Sequence, residues 1–310
     1  MLHIIVNPKS RTGMGLRIYK KIEPYLNHEQ IPYTTYFTNG IGDATKFASK
    51  LSSENESVTI IVLGGDGTIN EVVCGIQNFE LITLGYIPTG SSNDFARDLN
   101  LNTDPLIALK NIIHKNKIIS MDLGEVTYTN IDQTIIKRKF AVSCGIGFDA
   151  AVCQEALHSK VKLFFNKIHM GKLTYGGIAI KQLLFSKTCS CNLYLDDQAP
   201  IFINKFHFIV SMIHRYEGGG FQFCPKADYQ DGLLDLCVIG NLPKYKILFL
   251  LPSGFSGKHI RFKGVDIYRA KKLKIVASQK MPVHCDGESC HILKEISVAC
   301  ISEKLHMIIS

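Results

Sequence analysis

The sequence lacks a hydrophobic run long enough to cross a bilayer. Its most apolar late stretch, residues 247–251, soon meets Pro252 and Gly254 and falls far short of the roughly 20 residues that a transmembrane helix needs. The N-terminal residues have neither the charged leader nor the apolar core of a signal peptide, and they are typical of the first strand of a domain. We therefore expect a cytoplasmic protein.

The sequence also lacks a disulfide framework, although it contains 10 cysteines. Several of them lie within apolar strand or helix patterns, which favours free, buried thiols in a reducing compartment. Two Cys and His groupings, at residues 189–191 and 284–291, do not have the paired spacing of a structural zinc site. The cysteines therefore predict neither disulfides nor bound zinc.

Charged residues account for 20% of the 310 residues and hydrophobic residues for 46%, which is a globular composition. At about 150 residues per domain, the length allows two domains. The 35 Lys and Arg residues exceed the 27 Asp and Glu residues, and the net charge is +8. That excess permits attraction to nucleic acid, anionic lipid or phosphorylated substrates without choosing among them.

The pattern of elements changes near the middle of the chain. Over residues 1–127, short apolar strands alternate with helical patterns, which predicts a parallel, doubly wound α/β sheet with ligands beyond the carboxyl ends of its strands. Residues 128–293 are rich in strand patterns, including one over 135–144, and carry a helical insert, which predicts an antiparallel β domain. Residues 294–310 are a candidate return to the first domain.

A glycine turn, Gly64–Thr68, follows the buried-strand pattern of residues 58–63 and precedes a helical pattern. Its glycines allow close backbone approach, and a helix start presents free N–H groups to an anion. The carboxylate of Asp66 would repel a phosphate unless a divalent cation lay between them. The turn therefore predicts a nucleotide-phosphate site with Mg²⁺.

A second turn over residues 88–97 matches the first. Gly90, Ser91 and Ser92 offer backbone and hydroxyl donors at a strand end, and Asp94 supplies a second carboxylate. Asp94 taken alone is more typical of a helix cap. With Asp66 on the neighbouring turn, it suits a cation that bridges phosphates.

These two turns together resemble the diacylglycerol kinase catalytic-domain family, which includes soluble bacterial lipid kinases, sphingosine kinases and eukaryotic diacylglycerol kinases. The resemblance covers nearly the whole chain, and the soluble bacterial members have the most similar overall plan. It implies a phosphofructokinase-like, doubly wound nucleotide-binding domain followed by a β-sandwich-like lipid-binding domain. It also implies Mg²⁺ and ATP-dependent phosphorylation of a lipid hydroxyl.

The resemblance implies a set of nucleotide contacts in the first domain. They are Asn7, Ser10, Thr38, Gly64, Gly65, Asp66, Gly67, Thr68, Asn70, Glu71, Thr89, Gly90, Ser91 and Asp94. Many relatives carry glycine where this chain has Arg11, so individual contacts between Lys9 and Gly13 are left open.

The sequence Asp286-Gly287-Glu288 by itself predicts a hairpin turn. The family places catalytic carboxylates in such a sequence, which implies catalytic roles for Asp286 and Glu288, with Asp66 joining them from the first domain. We expect Asp286 to be the general base and Glu288 to orient nucleotide or metal, although the two roles could be exchanged.

The loop of residues 225–235 is, on its own, an ordinary loop that enters a strand. Bacterial relatives hold a structural Mg²⁺ in a similar loop. The resemblance therefore implies three ligands here, the Asp231 carboxylate and the main-chain oxygens of Asp228 and Leu233.

Two groups of basic residues are interleaved with apolar ones, which suits a peripheral contact with a membrane as well as a solvated face. The first group is Lys160, Lys162, Lys167, Lys172 and Lys181; the second is Lys258, Arg261, Lys263, Arg269, Lys271, Lys272 and Lys274. We expect a peripheral lipid kinase acting on diacylglycerol, with no nucleic-acid partner and, by resemblance, a homodimer. Kinases of a sphingoid base, of phosphatidylglycerol or of NAD are the alternatives.

Overall fold

The computed structural model describes residues 1–53, 56–158 and 171–309, and the chain divides into two compact units. Unit 1 consists of Met1–Met121 and Glu303–Ser310, and unit 2 of Asp122–Ser302. The expected boundary at residue 127 falls inside a strand of unit 2, and of the expected return only residues 303–310 belong to unit 1. Among the described helices, none is long and apolar enough to cross a membrane.

Unit 1 is an α/β sheet flanked by helices. Its elements are β1 (Leu2–Val6), α1 (Ser10–His28), β2 (Tyr33–Phe37), α2 (Asp43–Ser52), β3 (Val58–Gly64), α3 (Asp66–Gly75), a 3₁₀ turn (Phe79–Leu81), β4 (Ile82–Pro88), α4 (Asp94–Asp98), α5 (Pro105–His114) and β5 (Lys117–Met121). The chain returns at its end to add the strand β18 (Leu305–Ile309).

The sheet of unit 1 has the order β2-β1-β3-β4-β18-β5. The first four of these strands are parallel, so their carboxyl ends meet at one edge. Strand β3 is buried along its whole length, which explains its unbroken apolar run. Strand β18 runs parallel to β4 and antiparallel to β5, and it therefore joins the two.

Unit 2 is built mainly of antiparallel strands. Its elements are β6 (Gly124–Thr129), β7 (Ile135–Phe140), β8 (Ser143–Gly147), α6 (Phe148–His158), α7 (Gly171–Phe185), β9 (Cys189–Leu195), β10 (Ile201–Phe206), β11 (Phe208–Met212), β12 (Tyr216–Glu217), β13 (Phe221–Gln222), β14 (Leu234–Ile239), α8 (Lys244–Gly254), a 3₁₀ turn (Lys258–Arg261), β15 (Val265–Ala270), β16 (Lys272–Cys285) and β17 (Glu288–Cys300).

The long strand β16 organises the sheet of unit 2. It pairs with β17 on one edge, and on the other edge with β9 near its start and with β8 near its end. The register of β16 against β17 shifts between Val276 and Met281, as in a β-bulge. An apolar cluster of buried residues in unit 2 includes Phe140, Leu193 and Ile275.

The prediction of one strand over residues 135–144 is wrong. The structure has two strands, β7 and β8, separated by Ala141 and Val142. The amides of these two residues donate to the Asp286 carboxylate instead of to a neighbouring strand. The side chain of a distant residue thus interrupts a pattern that looked continuous in the sequence.

Candidate active site

The two glycine turns of unit 1 lie in direct backbone contact. Gly65 follows β3, and Gly90 follows β4, the next strand of the sheet. A Cβ atom on Gly90 would lie 2.7 Å from the Cα atom of Gly65, and one on Gly65 would lie 3.1 Å from the Cα atom of Gly90. Only glycine leaves both backbones room, so the turns form one surface at the carboxyl edge of the sheet.

Asp66 and Asp94 lie side by side at this edge. The carboxylate of Asp66 accepts hydrogen bonds from the amides of Asp94, at 3.3 Å, and Phe95, at 3.4 Å. Asp94 pairs with Arg97 at 3.1 Å. Burial, followed by the charges of Asp66 and Asp94, raises the pKa of Tyr86 well above its usual range. The two predicted carboxylates therefore share one electrostatic environment.

A hydroxyl and amide network joins the ends of three strands around the turns. Asn7, which follows β1, donates to the Thr68 hydroxyl at 3.2 Å, and the hydroxyls of Ser10 and Thr89 lie 2.7 Å apart. Thr38 is buried at the end of β2 and donates its amide to Val6. The predicted residues Asn7, Ser10, Thr38, Thr68 and Thr89 therefore lie at the same carboxyl edge of the sheet as the two glycine turns.

Two other predicted nucleotide residues have structural contacts within unit 1. The Glu71 carboxylate accepts the amide of Ala44 at 3.2 Å, at the start of α2, so it caps that helix. Asn70 is buried, and its side-chain oxygen lies 3.9 Å from the Cys74 thiol. The first turn of α1 is kinked and departs from helical geometry at Arg11, Thr12 and Gly13, whose φ angles are 40, 58 and 87°.

The Asp286-Gly287 hairpin connects β16 to β17 in unit 2. Its two residues have φ angles of 48 and 79°, as a two-residue type I′ turn requires. The Asp286 carboxylate accepts hydrogen bonds from the amides of Ala141, Val142 and Ser143 at 2.8–2.9 Å. Asp286 therefore fastens the hairpin to the segment between β7 and β8.

A buried cluster of ionisable groups that the sequence did not reveal lies next to this hairpin. His284 Nε2 lies 3.0 Å from Asp149 Oδ2, and His284 Nδ1 lies 3.6 Å from Glu217 Oε1. The Gly287 amide donates to His284 Nδ1 at 3.2 Å. In the sequence, His284 shows only as a member of a Cys and His grouping two residues before Asp286.

Charge interactions, rather than burial, determine the protonation of His284. Burial lowers its pKa, but Glu217 and Asp149 outweigh that effect and raise the pKa from 6.5 to about 9. Burial raises the pKa of Glu217 from 4.5 to about 7, against the opposing effect of His284. Neutral His284 accepts the Gly287 amide at Nδ1, whereas protonated His284 donates there toward Glu217, so the two states have different partners.

The cluster opens into a largely apolar cavity of about 410 Å³ within unit 2. Its apolar lining includes Phe148, Phe208, Phe221, Phe223, Leu250 and Phe255. Asp149, Glu217 and His284 supply polar groups of the wall. Asp149 Oδ1 is buried without a hydrogen-bond partner among the residues that the structure describes. An amphipathic ligand with a hydrogen-bond donor would satisfy this oxygen.

Ligand atoms of Cys153, Glu217 and His284 lie within 4.8 Å of one another, a set that could hold a metal ion. The arrangement does not favour that use, because both ring nitrogens of His284 already face protein carboxylates, Asp149 at Nε2 and Glu217 at Nδ1. The ten cysteines form no disulfide bonds among the described residues.

The predicted Mg²⁺ loop of unit 2 is held by protein groups. Asp231 Oδ1 accepts the Leu233 amide at 3.0 Å, and Oδ2 pairs with the guanidinium of Arg269. The buried Asp122 accepts the Gly232 amide at 2.7 Å. Arg269 therefore competes with a cation for Asp231, and Mg²⁺ binding at this loop stays a prediction.

The adjacent carboxylates of unit 1 offer a second place for a cation. Each carboxylate has about four lone-pair sites, and carboxylate oxygens are ligands that Mg²⁺ prefers. Asp66 and Asp94 are therefore the residues that would hold a Mg²⁺ bound together with nucleotide phosphates.

We predict that His284 stays protonated up to about pH 9, because Glu217 and Asp149 stabilise its charged form. His207 and His259 are internal controls, since burial lowers the pKa of each below 6.5. Histidine ¹⁵N NMR over a pH series would measure all three, with Asp149→Asn moving the His284 midpoint downward.

The raised pKa also has a consequence for stability. The folded pKa of His284 exceeds the unfolded one, so its charge stabilises the fold fully below about pH 6.5, and this contribution is lost as the pH rises through about 9. A His284 signal that titrates below 6.5 would contradict the assignment.

Known protein families match both parts of the chain. Residues 1–126 match the family described as diacylglycerol kinase catalytic domain, and residues 142–307 match the YegS C-terminal NAD kinase beta sandwich-like domain. YtlR of Bacillus subtilis, which carries a lipid-kinase name, is 29% identical over 92% of each chain. A diacylglycerol kinase of Bacillus subtilis is 27% identical over 92% of this chain and 88% of its own.

Solved structures share the fold. A diacylglycerol kinase from Bacillus anthracis str. Sterne superposes with a TM-score of 0.72 at 23% identity, covering 100% of this chain and 96% of its own. An NAD kinase from Archaeoglobus fulgidus in complex with ATP reaches 0.54 at 13% identity, covering 99% and 93%. The predicted fold class, a doubly wound nucleotide-binding unit and a β-sandwich-like unit, is confirmed. The chain belongs to the diacylglycerol kinase family of ATP-dependent lipid kinases.

Proposed function

We propose that this kinase transfers the γ-phosphate of ATP to the hydroxyl of diacylglycerol and so forms phosphatidic acid. The names of relatives at 26–27% identity over about nine-tenths of the chain support this substrate. The observation that carries it is the apolar cavity of unit 2, whose polar wall includes His284, the residue that contacts the Asp286-Gly287 hairpin. A cavity of about 410 Å³ lies within the usual range for small-molecule sites.

The nucleotide would bind at the carboxyl edge of unit 1. There the Gly65 and Gly90 turns bring backbone close to a phosphate chain, and the start of α3 favours negative charge. A Mg²⁺ held at Asp66 and Asp94 would offset the charge of the phosphates during transfer. The hydroxyls of Ser10, Thr68 and Thr89 would add donors around the same phosphates.

The contacts of the hairpin favour an exchange of the two expected catalytic roles. Asp286 accepts three backbone amides, so its carboxylate is committed to holding the hairpin. Glu288 is half-buried at the first position of β17 and becomes the better candidate for the general base. It would take the proton of the lipid hydroxyl as the oxygen attacks phosphorus, while Asp286 keeps the turn in place.

A sphingoid base is the second candidate substrate, because its ammonium group could pair with the carboxylate of Asp149. This buried carboxylate has one oxygen without a partner among the described residues, and an ammonium headgroup would pair with it. NAD is less well supported, since the cavity wall is mainly aromatic and aliphatic and the NAD kinase likeness at 13% identity concerns the fold alone.

The substrate can be tested directly with labelled ATP, Mg²⁺ and mixed micelles of each lipid alcohol. We expect labelled phosphatidic acid from diacylglycerol, with weaker or no labelling of sphingoid base, phosphatidylglycerol or NAD. Preferential labelling of the sphingoid base would replace the first substrate by the second. Labelling of NAD alone would contradict both. Dimerisation stays a prediction, which the molar mass in solution would test.

We predict that Gly90→Ala weakens ATP binding by at least about tenfold, a loss of about 1.4 kcal/mol. The added methyl would push the Gly90 turn away from Gly65. Gly40→Ala is the matched control, because a Cβ atom there meets nothing within 4 Å. Isothermal titration with a non-hydrolysable ATP analogue gives the affinities. Equal affinity of the two variants would show that the contact between the turns does not shape the nucleotide site.

We predict that Glu288→Gln lowers kcat by about 10²–10⁴-fold, the usual size of general-base catalysis, with ATP affinity and melting temperature retained. Asp286→Asn should lower the melting temperature as well, because an amide cannot accept three backbone N–H groups as a carboxylate does. Glu295→Gln, on the same strand, is the control. If Asp286→Asn alone loses turnover while keeping its stability, the original order of roles is the correct one.

A further inference from the structure

Helix α8 has apolar residues on two opposite faces. Ile247, Leu250 and Leu251 line the cavity of unit 2. Tyr245 and Phe249 point away from it and are 61% and 79% exposed. A helix that is apolar all round is normally covered on all sides, and the described residues of unit 2 leave the outer face of α8 exposed.

The exposed apolar residues continue beyond α8. Phe255 and Phe262 follow it in the chain, and Leu184 and Phe185 lie at the end of α7; all four are exposed. Lys244, at the start of α8, joins the two helices by donating to the carbonyl oxygens of Leu184 and Ser186 at 2.7 and 2.8 Å. We call this set the aromatic face: Leu184, Phe185, Tyr245, Phe249, Phe255 and Phe262.

The chain segment that contains α8 and the 3₁₀ turn after it carries charge of one sign. Residues 241–264 contain five Lys and Arg residues and no Asp or Glu. Among them Lys246, Lys258, Arg261 and Lys263 are exposed. Several other members of the same basic group have carboxylate partners instead, since Arg269 pairs with Asp231 and Lys274 with Glu295.

Of the basic group predicted in the helical insert, Lys160, Lys162 and Lys167 lie outside the described residues. Lys181 pairs with Glu155 at 2.6 Å. The cations considered for this surface are therefore those of α8 and of the 3₁₀ turn that follows it.

We propose that the aromatic face docks on an anionic lipid bilayer. Tyr245 and Phe249 enter the interfacial region, where aromatic rings are favoured, and Lys258, Arg261 and Lys263 contact acidic headgroups. The bilayer is preferred to a protein partner because α8 also forms a wall of the cavity, an argument that rests on the lipid substrate proposed above. A lipid could then pass from the bilayer along α8 into the cavity without crossing water.

Vesicle sedimentation tests the docking. We expect the wild-type chain to sediment with phosphatidylcholine vesicles containing phosphatidylglycerol and much less with phosphatidylcholine alone, and added salt should weaken the binding. Lys258→Glu should weaken it at least about fivefold, because each cation near such a surface contributes about 1 kcal/mol. Phe249→Ser should cause a loss of similar size.

Strand β10 supplies matched controls for both variants. Phe202 is 66% exposed, and Lys205 is exposed on the same strand, so Phe202→Ser and Lys205→Glu make the same chemical changes elsewhere on unit 2. We expect these controls to bind vesicles as the wild type does. Equal binding to neutral and anionic vesicles, or equal losses in the controls, would overturn the proposal. It would also be overturned if Phe249→Ser abolished a dimer and left vesicle binding unchanged.

A water-soluble, short-chain diacylglycerol separates docking from catalysis. The Phe249→Ser and Lys258→Glu variants should phosphorylate this substrate at the wild-type rate and lose activity only on vesicles. If no form of the protein phosphorylates any diacylglycerol, the proposed substrate fails, whereas the sedimentation result still decides the docking surface.

Discussion

The backbone contact between Gly65 and Gly90 is the constraint on which the nucleotide site depends. Neighbouring parallel strands end at the same edge, but turns with side chains would be forced apart there. Because both positions are glycine, the turns touch, and Asp66 can accept the amides at the start of α4. The contact thus fixes the separation of Asp66 and Asp94, the feature that makes a shared cation reasonable.

In unit 2, ionisable side chains lie at the wall of an apolar cavity. Asp286 uses its carboxylate to shape a hairpin, and His284 bridges that hairpin to Asp149 and Glu217. Gly145 in β8 makes room for this, since a Cβ atom there would collide with both Asp149 and His284. The opposite charges of this cluster are paired, which offsets part of the cost of burying them.

The sequence was informative wherever structure and chemistry are local. The strand, glycine turn and helix at residues 58–75 could be predicted, because their periodicity and turn residues are contiguous. The contact between His284 and Asp149 could not be predicted, because Asp149 lies 135 residues away in the sequence. Only the pairing of β8 with β16 brings the two residues together. The division of residues 135–144 into two strands could not be predicted for the same reason, because it depends on the distant Asp286. The cavity could not be predicted, because the sequence does not show whether an apolar residue packs in a core or lines a ligand site.

The placement of β18 has a consequence for how the chain folds during synthesis. Residues 305–309 fill the position between β4 and β5, yet the ribosome makes them after every residue of unit 2. Until they emerge, both neighbouring strands present unpaired edges, which are sites for mispairing. Unit 2 can therefore mature first, and the nucleotide-binding sheet closes only after all of unit 2 has been made.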